Sequence, residues 1–204
     1  FFNEWRRIIV DRIAEVTRVT KETDIYIKIN LDGSGKSKIK TGIGFFDHML
    51  EGFAKHGLFD LEVKVKGDLN VDCHHTIEDT GIVLGEVIRR ALGDKSGIKR
   101  YGNFLLPMDE TLVMCGVDLS GRPYYVSDLK FTNDRTGEMD NCMVDEFFYA
   151  ISYSAMMNLH FVQMRGVNDH HIIEATFKAF AKALDMATTV DQRINGVLST
   201  KGTI

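Results

Sequence analysis

Proline and cysteine are scarce in this chain. Its 204 residues hold two prolines, Pro107 and Pro123, and three cysteines, Cys73, Cys115 and Cys142. So little proline, with no low-complexity run, excludes a proline-rich linker and leaves little room for disorder. Three scattered thiols are too few, and odd in number, for a disulfide framework. The expected compartment is therefore reducing, the cytoplasm, with a plastid as the alternative if a targeting segment has been removed. No apolar run approaches the ~20 residues of a membrane-spanning helix. The opening Phe1-Phe2-Asn3-Glu4-Trp5-Arg6-Arg7 is broken by charge in a way that a secretory signal is not. Positive charge is not in excess either: 25 basic against 29 acidic side chains leave a net −4, which argues against a nucleic-acid partner. What the chain does have is 44% hydrophobic residues, enough for a sizeable core.

Hydrophobic periodicity divides the chain into two similar series. Residues 23–31 alternate as a strand and residues 32–35 turn; residues 44–57 carry apolar side chains at helical spacing, 61–65 alternate again, and 74–92 form a long helix. The second series gives a strand at 110–117, a turn at 118–121, a helix at 146–158, a strand at 159–164 and a helix at 170–187. Anchors recur in order. Glu22-Thr23 matches Glu110-Thr111, Asp32 matches Asp118, Phe45-Phe46 matches Phe147-Phe148, and Gly67 matches Gly166. His74-His75-x-x-Glu78 matches His170-His171-x-x-Glu174. The expectation is an α+β fold of internally duplicated strand-helix units, with helices packed on a mixed sheet and the halves packed as one body. Residues 1–13 are read as an N-terminal extension and 14–204 as one domain, with repeats over about 14–98 and 99–195.

Four of the seven histidines sit in the two HHxxE elements, each at the head of a long helix. Residues i and i+4 share a helix face, so His74 with Glu78, and His170 with Glu174, can grip one cation each. Adjacent residues point about 100° apart, so His75 and His171 serve a different ion or a different role. One such element fits a helix N-terminus that merely favours an acidic group; two at matching repeat positions point to metal. His48 and His160 could complete the shells, whereas His56 reads as a helix-end histidine. A nitrogen and carboxylate donor set favours manganese or iron, with zinc a further fit. Cys73 abuts His74, but its mirror position is Asp169, so it is left out. Arg89, Arg90 and Lys95 read as helix-end and surface charge. On residues alone, a binuclear hydrolase of phosphate esters and a metal-holding structural assembly both stay open.

The segments GFFDHML (44–50), HHTIEDTG (74–81), PMDE (107–110) and NDHHIIE (168–174) resemble the signature blocks of the imidazoleglycerol-phosphate dehydratase family. Thr17-Arg18-x-Thr20-x-Glu22-Thr23 opens the match and Leu198-Ser199-Thr200-Lys201-Gly202 closes it, so it covers about residues 14–203. The resemblance implies ribosomal S5 domain 2-like halves and a carbon–oxygen hydro-lyase. Its reaction is dehydration of D-erythro-imidazole glycerol phosphate to imidazole acetol phosphate in L-histidine biosynthesis. It also implies a homo-oligomer of 24 subunits with active sites between protomers and two Mn2+ ions in each. One ion would take His74, Glu78, His160 and His171, the other His48, His75, His170 and Glu174. Both helix-face pairs survive in that partition. The chemistry implied is an imidazolate held by the two ions, loss of the hydroxyl to a diazafulvene-like intermediate, and proton transfer by Glu22. Arg100, Arg122, Lys178, Ser199 and Lys201 would hold the substrate phosphate. Asp109 and Glu110 are weaker candidates for supporting roles. The partner expected is thus a small imidazole phosphate ester, with no nucleic acid and no membrane.

Overall fold

The computed structural model describes residues 12–204, so residues 1–11 of the expected extension lie outside the described residues. The strands follow from alternation. In β2 (Thr23–Asn30) Ile25, Ile27 and Ile29 are fully buried, while Asp24, Tyr26 and Lys28 face outward; β-branched side chains suit such a half-buried pleat. β1 (Ile13–Val19) pairs antiparallel with β2, β4 (Asp60–Gly67) follows antiparallel, and β3 (Ser37–Lys40) adds parallel to β4. The order is β1-β2-β4-β3. The second half repeats it as β5 (Tyr101–Met108), β6 (Thr111–Asp118), β10 (Asn158–Arg165) and β7 (Tyr124–Ser127), again with only the last pair parallel. The expected mixed sheet is therefore present twice, once per half. A two-stranded ribbon, β8 (Arg135–Thr136) with β9 (Met139–Asp140), is added in the second half.

The helices face one another between the sheets and pair across the halves. α2 (His74–Leu92) lies on β1 and β2 and packs against α3 (Met143–Ala155); α4 (Asp169–Thr188) lies on β5 and β6 and packs against α1 (Gly44–Gly57). The two pairings differ in kind. On α2, Gly81 and Gly85 bring the backbones close: a Cβ on Gly81 would meet the Phe147 carbonyl oxygen at 2.7 Å, and one on Gly85 the Ile151 carbonyl oxygen at 2.8 Å. Phe177 and Ala181 hold those positions on α4. There the space is filled by rings, with Phe177 stacked on Phe147 at 5.3 Å and edge-on to Phe46 at 6.5 Å. Offset and edge-to-face rings at these separations add to the burial of apolar area.

The repeat survives in three dimensions, with corrections. Thr80 and Thr176 each donate a hydroxyl hydrogen bond one turn back, to the carbonyls of Thr76 and Ile172, which sustains the HHxxE alignment. Two anchors are displaced. Left-handed Leu58 and Met156 end α1 and α3, and the residue after each bonds back to Ala54 and Ser152. That equivalence sets Phe147-Phe148 opposite Met49-Leu50 rather than Phe45-Phe46, one turn away. Likewise β2 and β6 set Asp118 opposite Asn30, not Asp32. The helix expected at 146–158 runs Met143–Ala155, because Met156 adopts φ 56° and the chain then enters β10. Strands β1, β3, β5 and β7 were not expected; β3 is short and largely polar, and β5 carries Pro107. Lys95, read as surface charge, is only 7% exposed and donates to the Leu119 carbonyl at 3.2 Å.

Gly85→Ala should destabilise the protein by about 1–3 kcal/mol, because the added methyl meets backbone that cannot swing away. Gly52→Ala on α1, where a Cβ meets nothing within 4 Å, should instead stabilise by about 0.5–1 kcal/mol through helix propensity. Urea denaturation of both variants checks the opposite signs.

Candidate active site

Both HHxxE elements open their helices on a polar residue two positions earlier. The Asp72 carboxylate accepts from the His74 amide at 2.7 Å and the Asn168 side chain from the His170 amide at 3.0 Å. Asn168 is the cap of α4, and Asp72 stands one residue before the cap of α2; both satisfy amides that a helix start leaves without partners. The i,i+4 pairs then form as the spacing predicts: His74 Nε2 lies 3.4 Å from Glu78 Oε2, and His170 Nε2 lies 3.2 Å from Glu174 Oε2. α1 brings His48 across to α4. His48, His170 and Glu174 each offer a ligand atom within 4.8 Å of the others, the one such trio among the described residues. Glu174 is largely buried. Burial raises its pKa, but Lys178 Nζ at 2.6 Å and the two imidazoles outweigh this and hold the carboxyl below the usual range. Phe45 packs against His170 with ring centroids 5.0 Å apart.

The remaining histidines stand elsewhere. His75 Nδ1 lies 3.0 Å from Asp68, with its Nε2 4.0 Å from Glu22. His171 Nδ1 lies 2.8 Å from Glu110, and its Nε2 3.7 Å from Asp109. Each imidazole's pKa is raised, first by its carboxylate hydrogen bond. The His171 bond is also the main cause that lowers Glu110 to about 2. His160, on the outward face of β10, stacks on Tyr124 at 6.3 Å. His56 sits in the last turn of α1, as expected of a helix-end histidine. One chain thus gathers three of the four ligands expected for one ion, lacking His75, and two for the other, lacking His160 and His171.

Glu22 rests on a built turn. The Thr20 hydroxyl accepts from the Glu22 and Thr23 amides, and the Thr23 hydroxyl donates to Asp79 at 2.5 Å, where Arg18 also pairs. The Glu22 carboxylate itself is 54% exposed and takes no hydrogen bond among the described residues. Arg100, Arg122, Ser199 and Lys201 line one cleft of about 790 Å³, with Arg193 and the C-terminal segment. Lys178 lies apart from it, beside Glu174. Arg100 is largely buried, its guanidinium forked onto Asp118 at 2.7 and 3.1 Å and donating to the Leu198 carbonyl at 2.8 Å. Its repeat counterpart Arg12 forks onto Asp32 in the same way. Asp68 and Asp118 were missed by sequence reading, since each meets its partner through the tertiary fold. Glu110 could have been weighed more heavily, because the repeat makes it the counterpart of Glu22.

Residues 41–184 match the family profile of imidazoleglycerol-phosphate dehydratase. The imidazoleglycerol-phosphate dehydratase of Lachnoclostridium phytofermentans is 65% identical over 195 residues, 96% of this chain and all of that protein. The Acetivibrio thermocellus enzyme is 59% identical over 95% of this chain and 99% of its own length. Among solved structures, that of the Staphylococcus aureus dehydratase superposes with a TM-score of 0.80 at 39% identity, covering 88% of this chain and 99% of that one. The Pyrococcus furiosus enzyme gives 0.80 at 37%, covering 93% and 100%. A duplicated α+β scaffold with these relatives is that of a carbon–oxygen lyase. More narrowly, the chain belongs to the imidazoleglycerol-phosphate dehydratase family, and its reaction is the dehydration of imidazole glycerol phosphate in histidine biosynthesis.

The ribbon segment is tied to the head of α4 by Asp169, which is buried. Its carboxylate accepts from the Thr132 amide, from the Asn133 amide and side chain, and from Asn141. Burial raises its pKa, but these bonds prevail and leave it lowered. Such a group lends stability that is present above its unfolded pKa and lost as pH falls through the folded one. Asp169→Asn should therefore cost about 2–4 kcal/mol at neutral pH. The gap from the parent should narrow below about pH 4, as read from denaturant midpoints across pH.

Proposed function

We propose that the dehydration is carried out with two manganese ions at sites completed between copies of this chain, with Glu22 as the proton shuttle. The observation that carries this reading is the His48, His170 and Glu174 trio: nitrogen and carboxylate donors, converging, with one place in the expected set left for His75. His74 and Glu78 would hold the other ion together with His160 and His171. When bound, the ions would supply Lewis acidity to both ring nitrogens and so favour the imidazolate on which elimination through a diazafulvene-like species depends.

Assembly is supported by an apolar face that has no partner among the described residues. On the outward side of the second sheet Leu105, Met114, Tyr124 and Val126 are exposed, and His160 lies among them. Clustered exposed apolar side chains of this kind mark an interaction site. A second copy covering it would carry His160 into contact with a neighbour, in a homo-oligomer of the expected 24 subunits. The protein's own residues then divide the work. Arg100, Arg122, Ser199 and Lys201 hold the phosphate in the cationic cleft, and Lys178 contributes a positive charge from beside the trio. Glu22, beside His75 and without a hydrogen bond on its carboxylate among the described residues, would first give a proton to the leaving hydroxyl, which departs as water, and then take the proton from the next carbon. Ketonisation of the resulting enol gives imidazole acetol phosphate.

Stripping metal should abolish turnover of imidazole glycerol phosphate, and Mn2+ should restore it. Glu22→Gln should lower kcat at least about 100-fold while bound metal and particle size stay those of the parent. Unchanged turnover in metal-stripped protein would sink the manganese reading, and unchanged kcat in Glu22→Gln would sink the role of Glu22.

A further inference from the structure

We infer that Asp68 and Glu110 are positioning residues for His75 and His171: each carboxylate takes the Nδ1 hydrogen of its imidazole and so leaves Nε2 as the ligand atom. An ionised carboxylate can only accept, so the ring nitrogen facing it carries the hydrogen. The distances, 3.0 Å from His75 to Asp68 and 2.8 Å from His171 to Glu110, are those of charge-assisted hydrogen bonds. Of the two carboxylates, Glu110 is itself held. Glu110 also accepts from the Thr111 hydroxyl at 3.1 Å and from the Asn168 amide at 3.1 Å. It stands on a two-residue turn in which Asp109 adopts φ 48°, a conformation uncommon outside glycine. Asp68 follows directly on β4, with its second oxygen buried and without a partner among the described residues.

The repeat gives the assignment its logic. Glu110 is the counterpart of Glu22, and His171 of His75. In the second half the repeated glutamate is engaged by the repeated histidine. In the first half Asp68, whose counterpart is Val167, has taken over that histidine. Glu22 is left 4.0 Å away with no hydrogen bond on its carboxylate among the described residues. One ancestral position has thus become a histidine holder in one half and a free acid–base group in the other.

The inference rests on the reading of His75 and His171 as metal ligands, and the test separates the two. Mn2+ is titrated into metal-stripped full-length protein by calorimetry for Asp68→Asn, Glu110→Gln, His75→Ala and His171→Ala. Glu110→Gln keeps an acceptor for the Asn168 amide, and circular dichroism checks that both carboxylate variants fold. Each should weaken Mn2+ binding about 10–100-fold, with Asp68→Ala weaker than Asp68→Asn. Solid-state NMR of the 15N-histidine-labelled, metal-free parent, at a pH high enough to leave both imidazoles neutral, should show the Nδ1–H form for the two signals that the histidine variants remove. If the histidine variants bind Mn2+ as the parent does, the ligand reading falls and the inference with it. If they bind weakly while Asp68→Asn and Glu110→Gln bind as the parent, or if the two signals are Nε2–H, the positioning role alone is overturned.

Discussion

The contact on which the rest of the molecule depends is the seam where α2 lies against α3. Gly81 and Gly85 remove the side chains that would hold the helices apart, so backbone meets backbone. This fixes the first half against the second with little freedom to slide, since a packed interior resists small displacements. The other seam, α1 against α4, is built differently. Phe177 stands where α2 has Gly81, and a cluster of phenylalanines from α1, α3 and α4 fills the gap. Two copies of one supersecondary unit are therefore joined by one close seam and one wide, aromatic seam.

That difference shapes the site. Across the wide seam His48 reaches His170 and Glu174, so the trio is assembled from both halves of one chain. Across the close seam the counterpart of His48 is Glu146, and no third ligand joins His74 and Glu78 within the described residues. A repeat that is symmetric in its HHxxE elements thus yields two unequal clusters of histidine and glutamate. The inequality arises from α1 and α3, with His48 and Glu146 at matching positions, rather than from the helices that carry the HHxxE elements.

Interactions of short range in the sequence were legible before any coordinates. The i,i+4 pairs, the bounds of α1 and α2, and the duplication itself come from helical spacing and ordered anchors, which need no knowledge of tertiary contacts. What failed were features set by geometry across the fold. The C-terminal end of α3 depends on Met156 entering the left-handed region, and the burial of Lys95 depends on a carbonyl more than twenty residues away. The polar strand β3 exists because β4 offers it an edge. Similarly, nothing in the spacing of Asp68 and His75, or of Arg100 and Asp118, announces a hydrogen bond. The match of Phe45-Phe46 with Phe147-Phe148 is an identity of residue type that the backbone does not respect, whereas Asp32 and Asp118 differ in backbone position but each take the fork of the corresponding arginine.

The unequal seams also bear on how such a chain could have arisen. A protein made of two identical half-length subunits would have carried either two glycine seams or two aromatic ones, because each subunit would present the same α2 and the same α3. The present arrangement, Gly81 on one side and Phe177 on the other, is open only to fused halves free to diverge. Once Phe177 filled one seam and Gly81 closed the other, the halves ceased to be interchangeable, and the fusion became irreversible.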